Sequence, residues 1–248
     1  MLALLLLGLP GMALACEKSL RWDSDPPFSM ASDDGTVHGI DVDLNREVLR
    51  RLGCTTHLRK LPWARALKEL ELGRLDILPG AFRKPERERY AYFSGAVLPP
   101  SRNILFMRRE AHQRWPVRSL LELRHGEFRL GAQIDVAYGE DYQQLMRDPQ
   151  FAERVSFNSQ RLNLWRMIEH RRIDGLIADE HSGRYELRQL GLDKLIEPTE
   201  VVVSSEAAEV AFSKKSTQPN FVQRYAKALG EVVADGSYAQ IVRRYIGD

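Results

Sequence analysis

Short apolar runs of strand length alternate with helically spaced apolar residues along most of this chain. Six strands are expected from this alternation, at residues 19–22, 55–61, 75–81, 129–134, 155–158 and 173–178. Helices between them are expected to begin near Gly39, Pro62, Asp141 and Leu162. Alternation of this kind is typical of helix-covered parallel sheets, so the sequence predicts two α/β units in series.

Two extended segments interrupt the alternation and connect the two units. The first follows Leu98-Pro99-Pro100-Ser101 and covers residues 103–107, and the second covers residues 209–213. A helical region from Asn220 to Ala234 closes the chain, followed by a short amphipathic tail. Two crossings imply a hinge, and because α/β sheets bind ligands at the carboxyl ends of their strands, we expect a cleft between the units.

The first fifteen residues differ from the rest in composition. Residues 2–9 are almost wholly apolar, and Ala13-Leu14-Ala15 fits the small residues of a secretory cleavage site. The segment is too short to span a membrane. We therefore predict a signal peptide at residues 1–15 and export to the periplasm, with a buried N-terminal helix as the alternative.

The chain has two cysteines, Cys16 and Cys54. An oxidising compartment favours a disulfide between them, and their positions before the first two strands place them at one edge of a parallel sheet. Lipidation of Cys16 is the alternative, although Ala13 and Leu14 make an imperfect lipidation signal. The disulfide is favoured because an even cysteine count in an exported protein usually pairs.

Several function classes find no support in the sequence. The formal net charge is +2, without the basic stripe that a nucleic-acid-binding protein needs. The six histidines show no metal-ligand spacing, and neither a glycine-rich phosphate loop nor a G-x-S-x-G motif is present. We expect no metal, no cofactor and no catalytic nucleophile.

A series of short motifs resembles the bacterial extracellular solute-binding proteins of family 3, the receptors of polar amino-acid transporters. The motifs are PFS at 27–29, GIDVDL at 39–44, LGRLDI at 72–77, PER at 85–87, FS at 93–94 and RIDGLIAD at 172–179. Each is weak alone, but their order is specific and covers nearly the whole chain after the leader. The Trp63-x-Arg65 segment and the two cysteines resemble a branch of this family with loosely defined ligands.

The resemblance implies a two-lobed α/β fold, the type II periplasmic binding protein, with two hinge crossings and an interlobe cleft. It assigns residues 16–99 plus 204–248 to the first lobe, which holds both chain ends, and residues 100–203 to the second. It also implies a monomer that captures a small polar ligand, an amino acid or related carboxylate, for the membrane subunits of an ABC transporter.

Two charged residues match the family's ligand contacts. Arg87 matches the arginine that grips the ligand carboxylate, a role that suits a planar guanidinium. Asp179 matches the acid that receives the ligand amino group. The alternatives are a solvated charge for Arg87 and an N-cap of the helix near Ser182 for Asp179.

Further matching positions would complete the pocket. Trp63 and Phe28 would contact the ligand with their rings, the backbone amides of Gly80 and Ala81 would donate to it, and Arg65 would reach an anionic group. The alternatives are a core position for Trp63 and a solvated charge for Arg65.

The chain also departs from the family pattern. Phe82 and Lys84 stand where a threonine or serine is usual before the arginine, and Val136 or Ala137 replaces a small hydroxyl residue of the second lobe. Because these hydroxyl contacts are lost, another carboxylate, a peptide fragment or a cyclic metabolite is an alternative to an amino acid as the ligand. Lys84 suggests extra negative charge on the ligand.

Two other functions remain open at this point. One is an exported enzyme on the same fold, a dehydratase of cyclohexadienyl acids in which Asp179 or Glu180 would assist the loss of water. The other is a ligand-sensing module that signals through a membrane partner.

Overall fold

The computed structural model describes residues 16–134, 136 and 138–247. The predicted signal peptide at residues 1–15 and the position of Ala137 lie outside the described residues. The β-strands are β1 (Cys16–Trp22), β2 (Met30–Ala31), β3 (Val37–His38), β4 (Cys54–Lys60), β5 (Ile77–Ala81), β6 (Ala91–Phe93), β7 (Ser101–Arg108), β8 (Leu130–Gln133), β9 (Val155–Asn158), β10 (Gly175–Asp179), β11 (Ile196–Glu206) and β12 (Glu209–Ser213).

The helices alternate with these strands, as the sequence predicts. They are α1 (Ile40–Arg51), α2 (Trp63–Leu72), α3 (Pro85–Glu88), α4 (Arg109–Arg114), α5 (Glu140–Met146), α6 (Pro149–Ala152), α7 (Arg161–Glu169), α8 (Glu180–Leu190), α9 (Pro219–Ala234) and α10 (Ser237–Ile246). A 3-10 helix covers Leu120–Arg124.

The first lobe is built on a five-stranded sheet with the order β4-β1-β5-β12-β6. Its face toward α1, α9 and α10 buries Leu20, Ile77 and Phe212. The opposite face packs against α2 and buries Leu78 and Ala211. Adjacent residues such as Ile77 and Leu78 thus point to opposite faces, which explains why β5 is an almost continuous apolar run.

The second lobe is built on a five-stranded sheet with the order β11-β7-β10-β8-β9. One face of this sheet buries Leu105 and Ile177 in a core with Phe128 and Phe151. The other face packs Phe106 and Leu176 against α7 and α8. Two separate sheets with separate cores confirm the two-lobed α/β fold.

The chain passes between the sheets twice, from β6 to β7 and from β11 to β12. The entering strand of each crossing runs antiparallel to its neighbours, as β7 does to β10 and β12 does to β5. Both sheets are therefore mixed. The expected lobe boundary at residue 203 remains a proposal, because β11 continues to Glu206, where it pairs with Ser101.

Two expected strands begin later than their apolar runs. The strand expected from residue 75 begins at Ile77, and the strand expected from residue 173 begins at Gly175. Leu75 and Ile173 are nevertheless fully buried at 0% exposure. Hydrophobicity at these positions therefore marks the core rather than strand pairing. Within the described residues, no helix has the length and apolar character needed to cross a bilayer.

A disulfide joins Cys16 to Cys54 at an S–S distance of 2.00 Å. The two cysteines are direct partners in the parallel pairing of β1 with β4. The disulfide expected from the sequence is confirmed, and it fixes the first described residue to the edge strand of the first sheet.

Breaking this disulfide should lower stability, because the bond closes a loop with a sequence separation of 38 residues. Loop-closure entropy for such a length predicts a loss of about 2 to 4 kcal/mol in the free energy of unfolding. Thermal unfolding with and without reductant measures the effect. The double variant Cys16→Ser/Cys54→Ser is the control and should melt at the temperature of the reduced protein in both conditions. Equal melting temperatures for oxidised and reduced wild type would contradict this expectation.

Candidate functional site

A cavity of about 180 Å³ lies between the two lobes. The first lobe contributes Asp25, Phe28, Ile40, Asp41, Gly80 and Phe82 to its lining. The remaining lining residues are Leu98, Pro99, Ser101, His181, Ala208 and Tyr238. The cavity lies beyond the carboxyl ends of β1, β5 and β10, where α/β sheets bind their ligands.

The loop after β1 is a tight turn held by its own backbone. Asp25 N donates to Ser29 O at 2.8 Å, and Asp25 O accepts hydrogen bonds from Phe28 N at 2.9 Å and Ser29 N at 3.0 Å. These three bonds fix the backbone of Asp25 and Phe28 at the cavity wall.

The first turn of α1 is bonded to the same loop. Ile40 N donates to Pro27 O and Asp41 N donates to Phe28 O, both at 2.9 Å. Gly39 precedes the helix with φ of 134°, and a Cβ at this position would lie 2.4 Å from Phe28 O. Glycine is therefore required for the close approach that brings Asp41 to the cavity beside the β1 loop.

Asp25 and Asp41 bring two carboxylates to one wall without a counterion in contact. Among the described residues, neither carboxylate has a hydrogen-bond donor or an ion-pair partner. Burial in the cleft and the nearby charge of Asp25 raise the pKa of Asp41 to about 7. Burial also raises the pKa of Asp25. The wall therefore resists holding both negative charges at neutral pH.

Two arginines near this wall are engaged elsewhere. Arg21 Nε donates to Leu61 O at 3.0 Å, and its Nη2 lies 3.6 Å from Asp23 Oδ2. Arg161 forms a bidentate pair with Glu186, with distances of 2.7 and 2.6 Å. Their charges act on the carboxylates through space, and they oppose the rise in the pKa of Asp25 without cancelling it.

His181 forms the second-lobe side of the cavity. Its ring meets the ring of Phe28 edge to face, with centroids 6.0 Å apart. Burial lowers the pKa of His181, so its imidazole is neutral at physiological pH. This contact joins the lobes without adding a positive charge to the cavity.

Asp179 occupies the position that the sequence indicates, at the end of β10. Its Oδ1 accepts a hydrogen bond from Ser182 N at 2.9 Å and caps α8, and its Oδ2 accepts one from Ser101 Oγ at 2.7 Å. Both carboxylate oxygens thus have partners within the protein. The structure shows the N-cap that the sequence left as the alternative, and Asp179 borders a groove beside the cavity.

Arg87 and Trp63 lie together next to the cavity wall. Arg87 Nη1 donates to Phe82 O at 2.8 Å, and its guanidinium lies 5.8 Å from the centroid of the Trp63 ring. The guanidinium of Arg21 lies 5.5 Å from the same ring. Trp63 also packs on the core cluster that contains Leu70, so its ring supports two cations from a half-buried position.

The other expected site residues divide into two groups. Phe28, Gly80 and Phe82 line the cavity, whereas Ala81 is buried in the core behind it. Arg65 is exposed and pairs with Glu69 at 2.8 Å, as a solvated helix charge does. Lys84 and Val136 are exposed.

Sequence reasoning did not select five of the polar lining residues: Asp25, Asp41, Ser101, His181 and Tyr238. Asp25 and Asp41 carried a signal, since each stands where a loop leaves a strand end or a helix begins. Tyr238 carried none, because its helix reaches the cavity through tertiary packing of the C-terminal region.

Two α/β lobes joined by two crossings, with a cavity between them, define the class of two-lobed solute-binding proteins. The profile of the bacterial extracellular solute-binding proteins, family 3, matches residues 21–248, and the chain belongs to this family. The resemblance seen in the sequence motifs is confirmed.

Solved structures show the same fold at low identity. The second substrate-binding domain of Lactococcus lactis GlnP, in an open conformation, matches with a TM-score of 0.76 and 18% identity over 94% of this chain and 96% of that domain. The L-cystine receptor of Neisseria gonorrhoeae, in its unliganded open conformation, matches with a TM-score of 0.75 and 18% identity over 95% of this chain and 94% of that receptor. An ancestral cationic amino acid solute-binding protein matches with a TM-score of 0.73 and 18% identity over 93% of this chain and 95% of that protein. No curated protein sequence matches this chain significantly.

Replacing Asp41 should change the pH dependence of stability. Because the folded-state pKa of about 7 lies above the ordinary value near 4, the contribution of Asp41 to the free energy of unfolding falls as pH rises through this window. We expect Asp41→Asn to stabilise the ligand-free protein more at pH 8 than at pH 5, by on the order of 2 to 3 kcal/mol.

Denaturant unfolding at the two pH values measures this difference. Asp33→Asn, on the exposed turn between β2 and β3, removes the same charge outside the cavity and should show no such difference. Equal effects of Asp41→Asn at pH 5 and pH 8 would show that the carboxylate is ordinary.

Proposed function

We propose that this protein is a periplasmic receptor that captures a small polar ligand of the amino-acid type and delivers it to the membrane subunits of an ABC transporter. The observation that carries the proposal is the cavity of about 180 Å³ between two lobes joined by two crossings, with acidic and aromatic side chains in its lining. Pockets for drug-sized ligands are larger, about 300 to 1,000 Å³. A cavity of this size suits a metabolite rather than a polymer or a protein.

Capture by hinged closure is supported by the contacts that side chains of the two lobes make across the cleft. Phe28 meets His181 edge to face, and Tyr185 Oη donates to Met30 Sδ at 3.4 Å. The helices α8 and α10 also pack against each other across the lobes. A ligand that bridges both walls adds the differential free energy that shifts the population toward closure.

Arg87 is proposed to bind the carboxylate of the ligand. Its hydrogen bond to Phe82 O uses one of the five donors of a guanidinium. Phe82 lines the cavity, so Arg87 is bonded directly to a residue of the cavity wall. Trp63 would keep the guanidinium in place through its ring.

The structure favours a receptor over a dehydratase. Of the two acids expected to assist loss of water, Glu180 is held ionised. Burial opposes ionisation, but hydrogen bonds from Arg102 and Arg184 leave the pKa of Glu180 below its ordinary value. Asp179 is engaged as a helix cap. A sensing role would use the same capture step and differs only in the membrane partner.

A thermal-shift panel of amino acids and small organic acids tests the proposal. Ligand at a hundred times its dissociation constant adds about 2.7 kcal/mol to the free energy of unfolding. For a chain of this length that corresponds to roughly 5 to 10 °C in melting temperature. Failure of every panel member to shift the melting temperature would contradict capture of an amino-acid-type ligand.

The variant Arg87→Ala tests the carboxylate contact. Loss of a hydrogen bond to a charged group costs about 1.5 to 3 kcal/mol, so binding should weaken roughly 10-fold to 150-fold. Arg89→Ala, on the next exposed turn, is the matched control and should bind normally. Isothermal titration with the panel ligand measures both, and normal affinity in Arg87→Ala would remove this residue from the site.

A further inference from the structure

The cavity between the lobes has a one-sided charge. Its lining contains two carboxylates, Asp25 and Asp41, and no lysine or arginine among the residues that the structure describes. His181, the basic lining residue, is neutral because burial lowers its pKa. An anionic ligand would therefore meet two like charges and no counterion inside the cavity.

The two carboxylates also accept no hydrogen bond from the described part of the chain. Asp25 is exposed and Asp41 is half-buried, and a carboxylate accepts several hydrogen bonds, so both groups are available to donors from a ligand. Asp179 shows the contrast, since its two oxygens accept from Ser182 N and Ser101 Oγ. Asp25 and Asp41 have no such donors within the described chain, although both border the same cavity.

The nearby arginines are bonded to other groups in this arrangement. Arg161 is bonded through both Nε and Nη2 to Glu186. Arg21 is bonded to Leu61 O and lies against Trp63. The donors to Asp25 and Asp41 therefore come from solvent or from a ligand in the cavity.

We propose that the ligand is a small organic cation whose protonated amine or guanidinium group is held by Asp25 and Asp41. The inference rests on the proposed function and specifies the ligand class of the same site. A cation bridging the two carboxylates satisfies their hydrogen-bonding capacity and removes their mutual repulsion in one step.

The rest of the cavity fits the other parts of such a ligand. Phe28, Phe82 and Tyr238 provide rings that contact the methylene chain carrying a cationic group. Lys84, which suggested extra negative charge on the ligand, is exposed and does not line the cavity. It therefore does not offset the two carboxylates.

Arginine and citrulline form the sharpest ligand pair for testing the inference. They have nearly the same shape, but only arginine carries a positive side chain. Lysine, ornithine and cadaverine extend the cations, with glutamine and glutamate as neutral and acidic comparisons. Isothermal titration of the wild-type protein should show at least one cation binding, and cations should bind at least tenfold tighter than their neutral or acidic counterparts.

Charge-removing variants locate the contact. Asp25→Asn and Asp41→Asn should each weaken cation binding at least tenfold, whereas Asp33→Asn should leave it unchanged. The double variant Asp25→Asn/Asp41→Asn should reduce the ratio of cation to neutral affinity. Because this ratio is measured on one protein sample, a partly unfolded variant does not distort it.

The outcomes separate this inference from the proposed function. Binding of glutamine or glutamate without any cation overturns the cationic ligand and leaves the receptor function standing. Cation binding with an unchanged affinity ratio in the double variant overturns the role of the two carboxylates. If no amino acid and no amine binds, the cationic ligand and the proposed receptor function are both contradicted. Comparison of lysine with cadaverine, which lacks the carboxylate, reports separately on Arg87.

Discussion

The placement of two unpaired carboxylates at one cavity wall depends on the junction between the β1 loop and α1. Hydrogen bonds from Ile40 N to Pro27 O and from Asp41 N to Phe28 O tie the helix start to the loop. Repulsion between Asp25 and Asp41 acts to separate these segments. The junction persists because Gly39 permits contact that no side chain would allow, and because α1 buries Leu44, Val48 and Leu49 in the core.

The acids near the cleft differ in whether the protein itself supplies hydrogen-bond partners to their carboxylates. Asp179 and Glu180 are satisfied by the protein itself, the first as a helix cap and the second by two arginines. These two carboxylates stabilise the folded protein whether or not ligand is present. The ionised carboxylate of Asp41 costs stability in the empty protein, because its pKa is raised, and a cation that pairs with it would return this free energy on binding.

The fold was predictable from the sequence to a large extent, and the cavity was predictable in part. Strand and helix periodicity gave both lobes, the two crossings and the disulfide, since these depend on local pattern and cysteine count. The motifs led to Phe28, Gly80 and Phe82, which line the cavity, and to Arg87 beside it. Tyr238 and His181 were missed because the contacts of α10 and α8 with the cavity arise from tertiary packing. The engagement of Asp179 by Ser101 was equally invisible, since the two residues are 78 positions apart.

The arrangement of the crossings has a consequence for the order of folding. In the first sheet, β6 pairs only with β12 among the described strands, and β12 lies at Glu209–Ser213. The first lobe therefore cannot complete its sheet until the chain has been synthesised through Ser213. The second sheet is contiguous between Ser101 and Glu206, so it can assemble earlier. The inserted lobe is thus positioned to fold first and to present β11, from which β12 follows after two residues, to the unfinished first lobe.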